Sequence, residues 1–280
     1  MDCRGKQLVF GKRTLVMGIL NVTPDSFSDG GRYFDVESAI AHVKTMVSEG
    51  ADIIDIGGES SRPGASPVST DEELARVLPV IQRIVGDINV LISIDTCKSA
   101  VARRALEAGA HIVNDITALN GDSEMADVVA DMEAGVVLMH MKGKPRTMQL
   151  SPVYEGDVVD EIISWLQQRI AHAEENGILP DRILIDPGIG FGKNLKHAHN
   201  LEILRRLDEF QCLNKPILIG TSRKTFIGKV LDLPKDDRIE GTAATVTWAI
   251  AHGADVIRVH DVKAMRRVAR MTDAIYRRTY

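Results

Sequence analysis

Residues 90–115 read VLISIDTCKSAVARRALEAGAHIVND, and the fold class follows from this stretch. Its first five residues, 90–94, are rich in Val and Ile, as in a strand buried on both faces. Residues 99–107 then carry apolar side chains at helical spacing, and Gly109 stands where a helix C-terminus prefers glycine. A second apolar run, 111–113, follows at once. Two short buried strands joined by a helix form a βαβ unit, whose strands run parallel. The same rhythm extends in both directions. Runs at 15–20, 52–56, 136–139, 183–185, 217–219 and 256–259 bring the strands to eight. Between and after them lie helical patterns at 38–47, 71–85, 158–176, 201–210, 242–251 and 262–276, several ending at Gly50, Gly177 or Gly253. Eight parallel strands, each followed by a helix, favour a (β/α)8 TIM barrel over an open doubly wound sheet. No linker divides the 280 residues, so one domain over 1–280 is expected, within the usual length of a barrel of about 250 residues. Residues 7–10 and 13–16, on either side of Gly11-Lys12, predict a short hairpin with Gly11 at its turn, plugging the barrel bottom.

Lys and Arg total 34 against 39 Asp and Glu, a net charge of −5 with both signs interspersed. No basic stripe suits a phosphate backbone, so nucleic acid is not an expected partner. The three cysteines, Cys3, Cys97 and Cys212, are odd in number and scattered, which fits a reducing compartment rather than a disulfide framework. The N-terminus is read as lacking an apolar signal core, and no run approaches the ~20 apolar residues of a membrane span. A cytoplasmic location without membrane association is expected.

In such barrels chemistry sits where each strand ends and its loop begins. The residues there are polar throughout: Asn21; Glu59, Ser60, Ser61 and Arg62; Asp95; Asn114 and Asp115; His140; Asp186; Ser222, Arg223 and Lys224; Arg258 and His260. Any one could be a loop cap or a rim salt bridge, but eight strand ends of this kind favour a binding site. The glycine-rich segment from Asp186 to Lys193 is not a phosphate loop. Its glycines are spaced G-x-G-x-G, and Asn194 stands where a Walker motif needs Ser or Thr. Such glycines suit a tight backbone turn beside a flat ligand. Ser222 lacks the glycine spacing of a nucleophile elbow. His197 and His199, two apart, do not share a helical face and are read as surface polarity rather than metal ligands.

Longer motifs carry a family resemblance. Residues 17–31 read MGILNVTPDSFSDGG and residues 57–64 read GGESSRPG; further on come SIDT at 93–96, NDI at 114–116, MHM at 139–141, the segment 186–193, SRK at 222–224 and RVHD at 258–261. In these motifs the chain resembles the bacterial dihydropteroate synthases, folate-pathway enzymes of the pterin-binding TIM-barrel class that are the target of sulfonamides. The resemblance runs from the first strand to the last. It implies condensation of 6-hydroxymethyl-7,8-dihydropterin diphosphate with 4-aminobenzoate to give 7,8-dihydropteroate and diphosphate, with Mg2+ assisting.

The implied roles agree with side-chain chemistry. A pterin presents paired N–H donors, which a carboxylate at Asp186 can accept together. Lys224, Asn114 and Asp95 supply a cation, an amide and a second acceptor for the other edge, with Met139 and Arg258 assigned to the same ring. Arg62, Arg258 and His260, with Ser61, would meet the diphosphate, where fixed cations stabilise the leaving oxygen. Helix 262–276 begins just after His260 and would add its N-terminal dipole. By resemblance Asn21 is the magnesium ligand and contacts diphosphate, Asp25 in the first loop has a catalytic part, and the loop closes over aminobenzoate. Phe27, Pro63 and Phe191 would wall that substrate, with Ser61, Lys224 and Thr225 as polar contacts. This chain has Ser61 where many members have Thr and Thr225 where many have Ser, and both keep a hydroxyl. A dissociative, SN1-like route needs no strong general base. The resemblance also implies a homodimer through helices 242–251 and 262–276.

Three rivals are weighed against this reading. A pterin-dependent methyltransferase barrel would share the ring contacts but would not need the first-loop motif or the diphosphate cluster. A catalytically silent pterin-binding paralogue predicts losses among Asn21, Arg62, Lys224, Arg258 and His260, and none is lost. A phosphosugar aldolase would use Lys224 as a Schiff base in apolar surroundings, which Arg223 disfavours.

Overall fold

The computed structural model describes residues 1–23, 36–60, 66–143, 148 and 152–278. Two short antiparallel strands, β1 (Asp2–Cys3) and β2 (Lys6–Gln7), come first. The barrel begins at β3 (Leu15–Asn21) and continues through α1 (Val36–Ser48), β4 (Ile53–Gly57), α2 (Thr70–Ile84), β5 (Leu91–Asp95), α3 (Ser99–Glu107) and β6 (Ile112–Asp115). Its second half comprises α4 (Met125–Asp131), β7 (Gly135–Met139), α5 (Val158–Glu175), β8 (Ile183–Asp186), α6 (His199–Arg205), β9 (Ile217–Ile219), α7 (Thr225–Leu231), α8 (Ile239–Ala251), β10 (Ala254–Val259) and α9 (Val262–Tyr276). Strands β3 to β10 pair in parallel with their sequence neighbours, and β10 pairs with β3 to close the barrel. The expected eight-stranded (β/α) barrel is the observed one.

Strand alternation sorts the side chains into two cores. Outward residues such as Ile54, Ile56, Ile92, Ile94 and Leu138 share a cluster with the helices, where α1 contributes Val43 and α2 contributes Val77 and Ile81. Inward residues Leu15, Met17, Ile53, Leu91, Ile112, Val137, Leu184, Leu218 and Val256 form a separate cluster with no helix residue in it. Burial of each such chain contributes about 1.5–3 kcal/mol. Two apolar layers of this size can therefore support a third, polar layer inside the barrel. That layer lies nearer the C-terminal ends of the strands: two residues beyond the inner apolar residue come Asp55 on β4, Asn114 on β6, Asp186 on β8 and Arg258 on β10.

The hairpin closes the opposite end, but not where Gly11 suggested. Its turn is Arg4-Gly5, both at positive φ (57° and 83°), the conformation that a two-residue turn between antiparallel strands prefers. The Asp2 carboxylate accepts from the Gly5 N–H at 2.8 Å, fixing the turn. Cys3 and Leu8 join the inner apolar cluster, with Met1 and Phe10 packed against it. Arg4 donates to the Leu106 and Ala110 carbonyls, tying the plug to the end of α3. Gly11 instead bends the chain into β3. The seven-residue helices α4 and α7 are too short to stand out by periodicity, and the pattern at 201–210 divides into α6 and a 3-10 segment, Leu207–Leu213.

Candidate active site

The polar layer converges on one guanidinium. Arg258 Nε donates to Asp55 Oδ2 at 2.6 Å, and its Nη2 donates to Asp95 Oδ2 at 2.7 Å. Asn114 Nδ2 donates to the same Asp55 oxygen at 3.0 Å. Strand register brings these groups near one another: Asp95 at the end of β5 stands beside Asn114 on β6 and Gly57 on β4, while Asp55 is two residues before Gly57 and pairs with Ser93. Asp55 is fully buried. It sits inside the run 52–56, where the surrounding isoleucines hid it; a count by two from Ile53 would have marked it as inward.

Across the barrel, Asp186 ends β8 with its Oδ1 accepting from the Gly188 N–H at 2.7 Å. Gly188 has φ 73° and its added Cβ would lie 1.8 Å from the His140 carbonyl oxygen, so only glycine allows the loop to pack here. The loop is clamped by Lys193, which is fully buried. Its ammonium donates to the Gly188 and Phe191 carbonyls, both at 3.0 Å, and lies 3.0 Å from His140 Nδ1. With the His140 carbonyl at 3.4 Å as a further acceptor, the neighbours outnumber the three ammonium protons, so this lysine organises the glycine-rich turn and has no proton to spare for a phosphate. The glycine spacing already excludes a phosphate loop here, but nothing in it points to Lys193 as a clamp.

Lys224 precedes α7, and its Nζ lies 4.0 Å from the centroid of the Phe191 ring. Beside it, Met139, Ile116, Met148 and Phe191 form a small apolar cluster separate from both cores. The described site therefore has charged groups at its base and an apolar wall on one side, suited to a flat, polar-edged ring. Arg223 turns away and forms a two-pronged pair with Asp261 (3.0 and 2.6 Å). Ser222 Oγ accepts from the His260 backbone N–H at 3.2 Å and lies 3.0 Å from the imidazole Nδ1. By donating its single proton to Nδ1, the serine would leave Nε2–H as the outward donor. Glu59 is held by Lys98, which also bridges 2.5 Å to the buried Glu73 on α2. Asp115 serves its own turn, accepting from the Thr117 and Leu119 N–H groups.

Burial and close charges shift the ionisations. Burial pushes the Asp95 carboxyl up to about 7, with Arg258 opposing the shift and Asp55 reinforcing it. Asp186 is also raised by burial, against the Gly188 N–H bond and the Lys224 charge. Lys224 falls to about 8 through burial and repulsion from Arg258, while Asp186 and Asp95 act to hold its proton. Burial likewise brings Lys193 down to about 7.

The described residues thus bring together Asp95, Asn114, Met139, Asp186, Phe191, Lys224 and Arg258, place Asn21 at the end of β3 and His260 just after β10 as expected, and put Thr225 at the start of α7. Asp25, Phe27, Ser61, Arg62 and Pro63 lie outside the described residues. His197 and His199 stack on each other at 5.7 Å, and His199 Nδ1 accepts from the Asn194 N–H.

Comparison with known proteins adds a family. The family described as pterin binding enzyme matches residues 17–260. The dihydropteroate synthase of Synechocystis sp. is 49% identical over 96% of this chain and 92% of its own length. A crystal structure of the dihydropteroate synthase from Clostridium difficile, in the presence of pteroic acid, superposes with a TM-score of 0.91 at 48% identity, covering 97% of this chain and 100% of that one. The dihydropteroate synthase of Yersinia pestis, in a complex with a sulfonamide drug, gives a TM-score of 0.92 at 43% identity, covering 100% and 99%.

Proposed function

We propose how the site works from one premise: the chain belongs to the pterin-binding enzymes and, within them, to the dihydropteroate synthases. The reaction of that family joins 6-hydroxymethyl-7,8-dihydropterin diphosphate to 4-aminobenzoate and releases diphosphate. Pteroic acid, present with the Clostridium difficile relative, contains both halves of the joined product.

The observation that carries the residue-level reading is the polar layer of Asp95, Asn114, Asp186, Lys224 and Arg258 beside the Met139 and Phe191 wall. Asp186 accepts the paired N–H groups of the pterin edge, while Asn114, Lys224 and Asp95 meet its remaining polar atoms. Arg258, locked in plane by two carboxylates, lies against the ring. Diphosphate extends toward Asn21, Ser61, Arg62 and His260, where cationic and N–H donors stabilise the oxygen that becomes anionic as the carbon–oxygen bond breaks. Asp25 has a catalytic part in the first loop. The electron-rich ring supports the methylene cation, and the amine of 4-aminobenzoate then adds. Phe27, Pro63 and Phe191 wall the second substrate, and Ser61, Lys224 and Thr225 contact it. A steady-state assay of diphosphate release should show dependence on both substrates. Release with dihydropterin diphosphate alone, at the same rate, would contradict the condensation.

A divalent cation fits this site through a small donor set. Among the described residues no group of three or more His, Cys, Asp or Glu is placed to hold a metal. The Asn21 amide oxygen at the tip of β3 suits Mg2+, which keeps several waters and takes few protein ligands. Bound there, it would supply charge neutralisation for the diphosphate.

The charge states predict the pH dependence. Lys224 must be cationic to donate to the ring, so kcat/KM should fall above about pH 8, where it loses its proton. Asp95 must be ionised to pair with Arg258 and accept from the substrate, so kcat/KM should rise through about pH 7. Lys224→Arg, whose charge persists, should retain some activity and lose the alkaline limb. An unchanged limb in that variant would remove Lys224 as its source.

The chain acts as one domain and as a homodimer. Met271, Ile275 and Tyr276 on α9, together with Trp248 on α8, are exposed apolar side chains on the two late helices of that expectation. Positions 271 and 275 share a helical face, so Met271→Glu combined with Ile275→Glu should convert the dimer to monomer in sedimentation experiments. Three free cysteines fit a cytoplasmic setting. No described helix is long and apolar enough to cross a membrane.

A further inference from the structure

Asp55 is a fully buried carboxylate on β4 that the reaction outlined above does not use. Both of its bonds end on one oxygen: Oδ2 accepts from Arg258 Nε and from Asn114 Nδ2. The other oxygen, Oδ1, is buried without a hydrogen-bond partner, and so is the hydroxyl of Ser93 at the paired register position on β5. A half-satisfied carboxylate inside a barrel is costly, because an apolar side chain could fill the same layer without the loss of solvation. What the carboxylate adds is geometric. It ties two side chains, from β6 and β10, to one oxygen. Asp95 alone would hold Arg258 at Nη2 and leave the guanidinium free to swing.

We propose that Asp55 is the positioning residue of the pterin site, setting the plane of the Arg258 guanidinium and the rotamer of the Asn114 amide without itself touching substrate. This rests on the reading of Asn114 and Arg258 as pterin contacts. It also accounts for part of the electrostatics. Asp95 is faced by Arg258 from β10, Asp55 from β4, Glu73 from α2, Asp115 from β6 and Lys224 ahead of α7. Of the acidic neighbours Asp55 is the strongest influence, so its charge keeps the Asp95 proton affinity high.

The unpartnered oxygen makes a clean test possible. In Asp55→Asn the amide oxygen can take the place of Oδ2 and keep both bonds, while the NH2 takes the place of Oδ1 and opposes no donor. Asp55→Ala removes both bonds. With initial-rate assays on the full chain, Asp55→Ala should raise KM for 6-hydroxymethyl-7,8-dihydropterin diphosphate at least tenfold and leave KM for 4-aminobenzoate within twofold. Asp55→Asn should keep KM for the pterin substrate within threefold and move the acid limb of kcat/KM to lower pH. The double variant Asp55→Ala with Arg258→Ala should lose clearly less than the product of the two single losses, since Asp55 then has only the Asn114 amide left to orient. Equal rises in both KM values, or multiplicative losses in the double variant, would overturn the inference in favour of a structural role. So would wild-type kinetics, including an unmoved acid limb, in a folded Asp55→Asn. Failure of the pterin-site reading looks different: Asn114→Ala and Arg258→Ala would then leave KM for the pterin substrate unchanged, whatever Asp55 does.

Discussion

Asp186→Asn should abolish useful affinity for the dihydropterin substrate, lowering it by two orders of magnitude or more in calorimetric titration of the folded variant. Asp186 accepts the Gly188 N–H with one oxygen, which fixes the carboxylate and, on the proposed reading, leaves its remaining lone pairs for the ring. An amide can satisfy Gly188 only by turning its NH2 toward the substrate N–H groups, so donor then meets donor. Losing a hydrogen bond to a charged group costs about 1.5–3 kcal/mol, and the mismatch adds to it. The charge balance shifts too, since Lys224 and Lys193 both lie within the influence of this carboxylate. Wild-type affinity in Asp186→Asn would remove Asp186 from the pterin edge.

Arg258→Ala should be the most damaging single change, because it strikes fold and chemistry together. Removing the guanidinium leaves Asp55 and Asp95 facing one another without a cation between them. Breaking a buried ion pair from one side typically costs about 3–5 kcal/mol. Loss of one charge-stabilising donor lowers kcat by about 10²-fold or more. A combined fall in kcat/KM of roughly 10³-fold is expected, with a lowered thermal midpoint. The pH dependence of that midpoint identifies the cause. Without Arg258 the Asp95 carboxyl, already raised by burial to about 7, moves higher still. The folded variant then binds more protons than its unfolded chain at neutral pH, so its stability falls as pH rises and recovers on acidification toward pH 5. Arg258→Lys restores charge but cannot meet both carboxylates with a planar fork, so it should recover only part of the loss. A stability deficit independent of pH between 5 and 8 would show that the two carboxylates are not its source.

The barrel was legible because each strand is a short run rich in Val and Ile and the longer helices carry a periodic apolar face, so the count of eight strands could be read from spacing. The ends of those strands were legible for the same reason: Asp95, Asn114, Asp186 and Arg258 stand where the apolar run stops or is interrupted near its end. Asp55 was not, because parallel strands are apolar on both faces and their inward parity is masked. The clamp by Lys193 was not legible either, because the glycine spacing excludes a phosphate loop without revealing a buried ammonium that serves backbone carbonyls. The hairpin was placed too late because two glycines, Gly5 and Gly11, both permit a turn, and only the side chain of Asp2 distinguishes them. Expectations for Asp25, Phe27, Ser61, Arg62 and Pro63 fall outside the described residues.

The inner polar layer draws Asp55, Asp95, Asn114, Asp186 and Arg258 from five different strands, each rooted in the same apolar floor. On the proposed reading of the site, a single exchange in that layer disturbs members from several strands at once, and one that repels an imitator of the ring also repels the ring itself. A population of cells selected against such an imitator should yield escape variants rarely, and those it yields should grow poorly once the compound is withdrawn. Heritable resistance would instead accumulate among side chains outside this layer, and sequencing of the survivors would show where it begins.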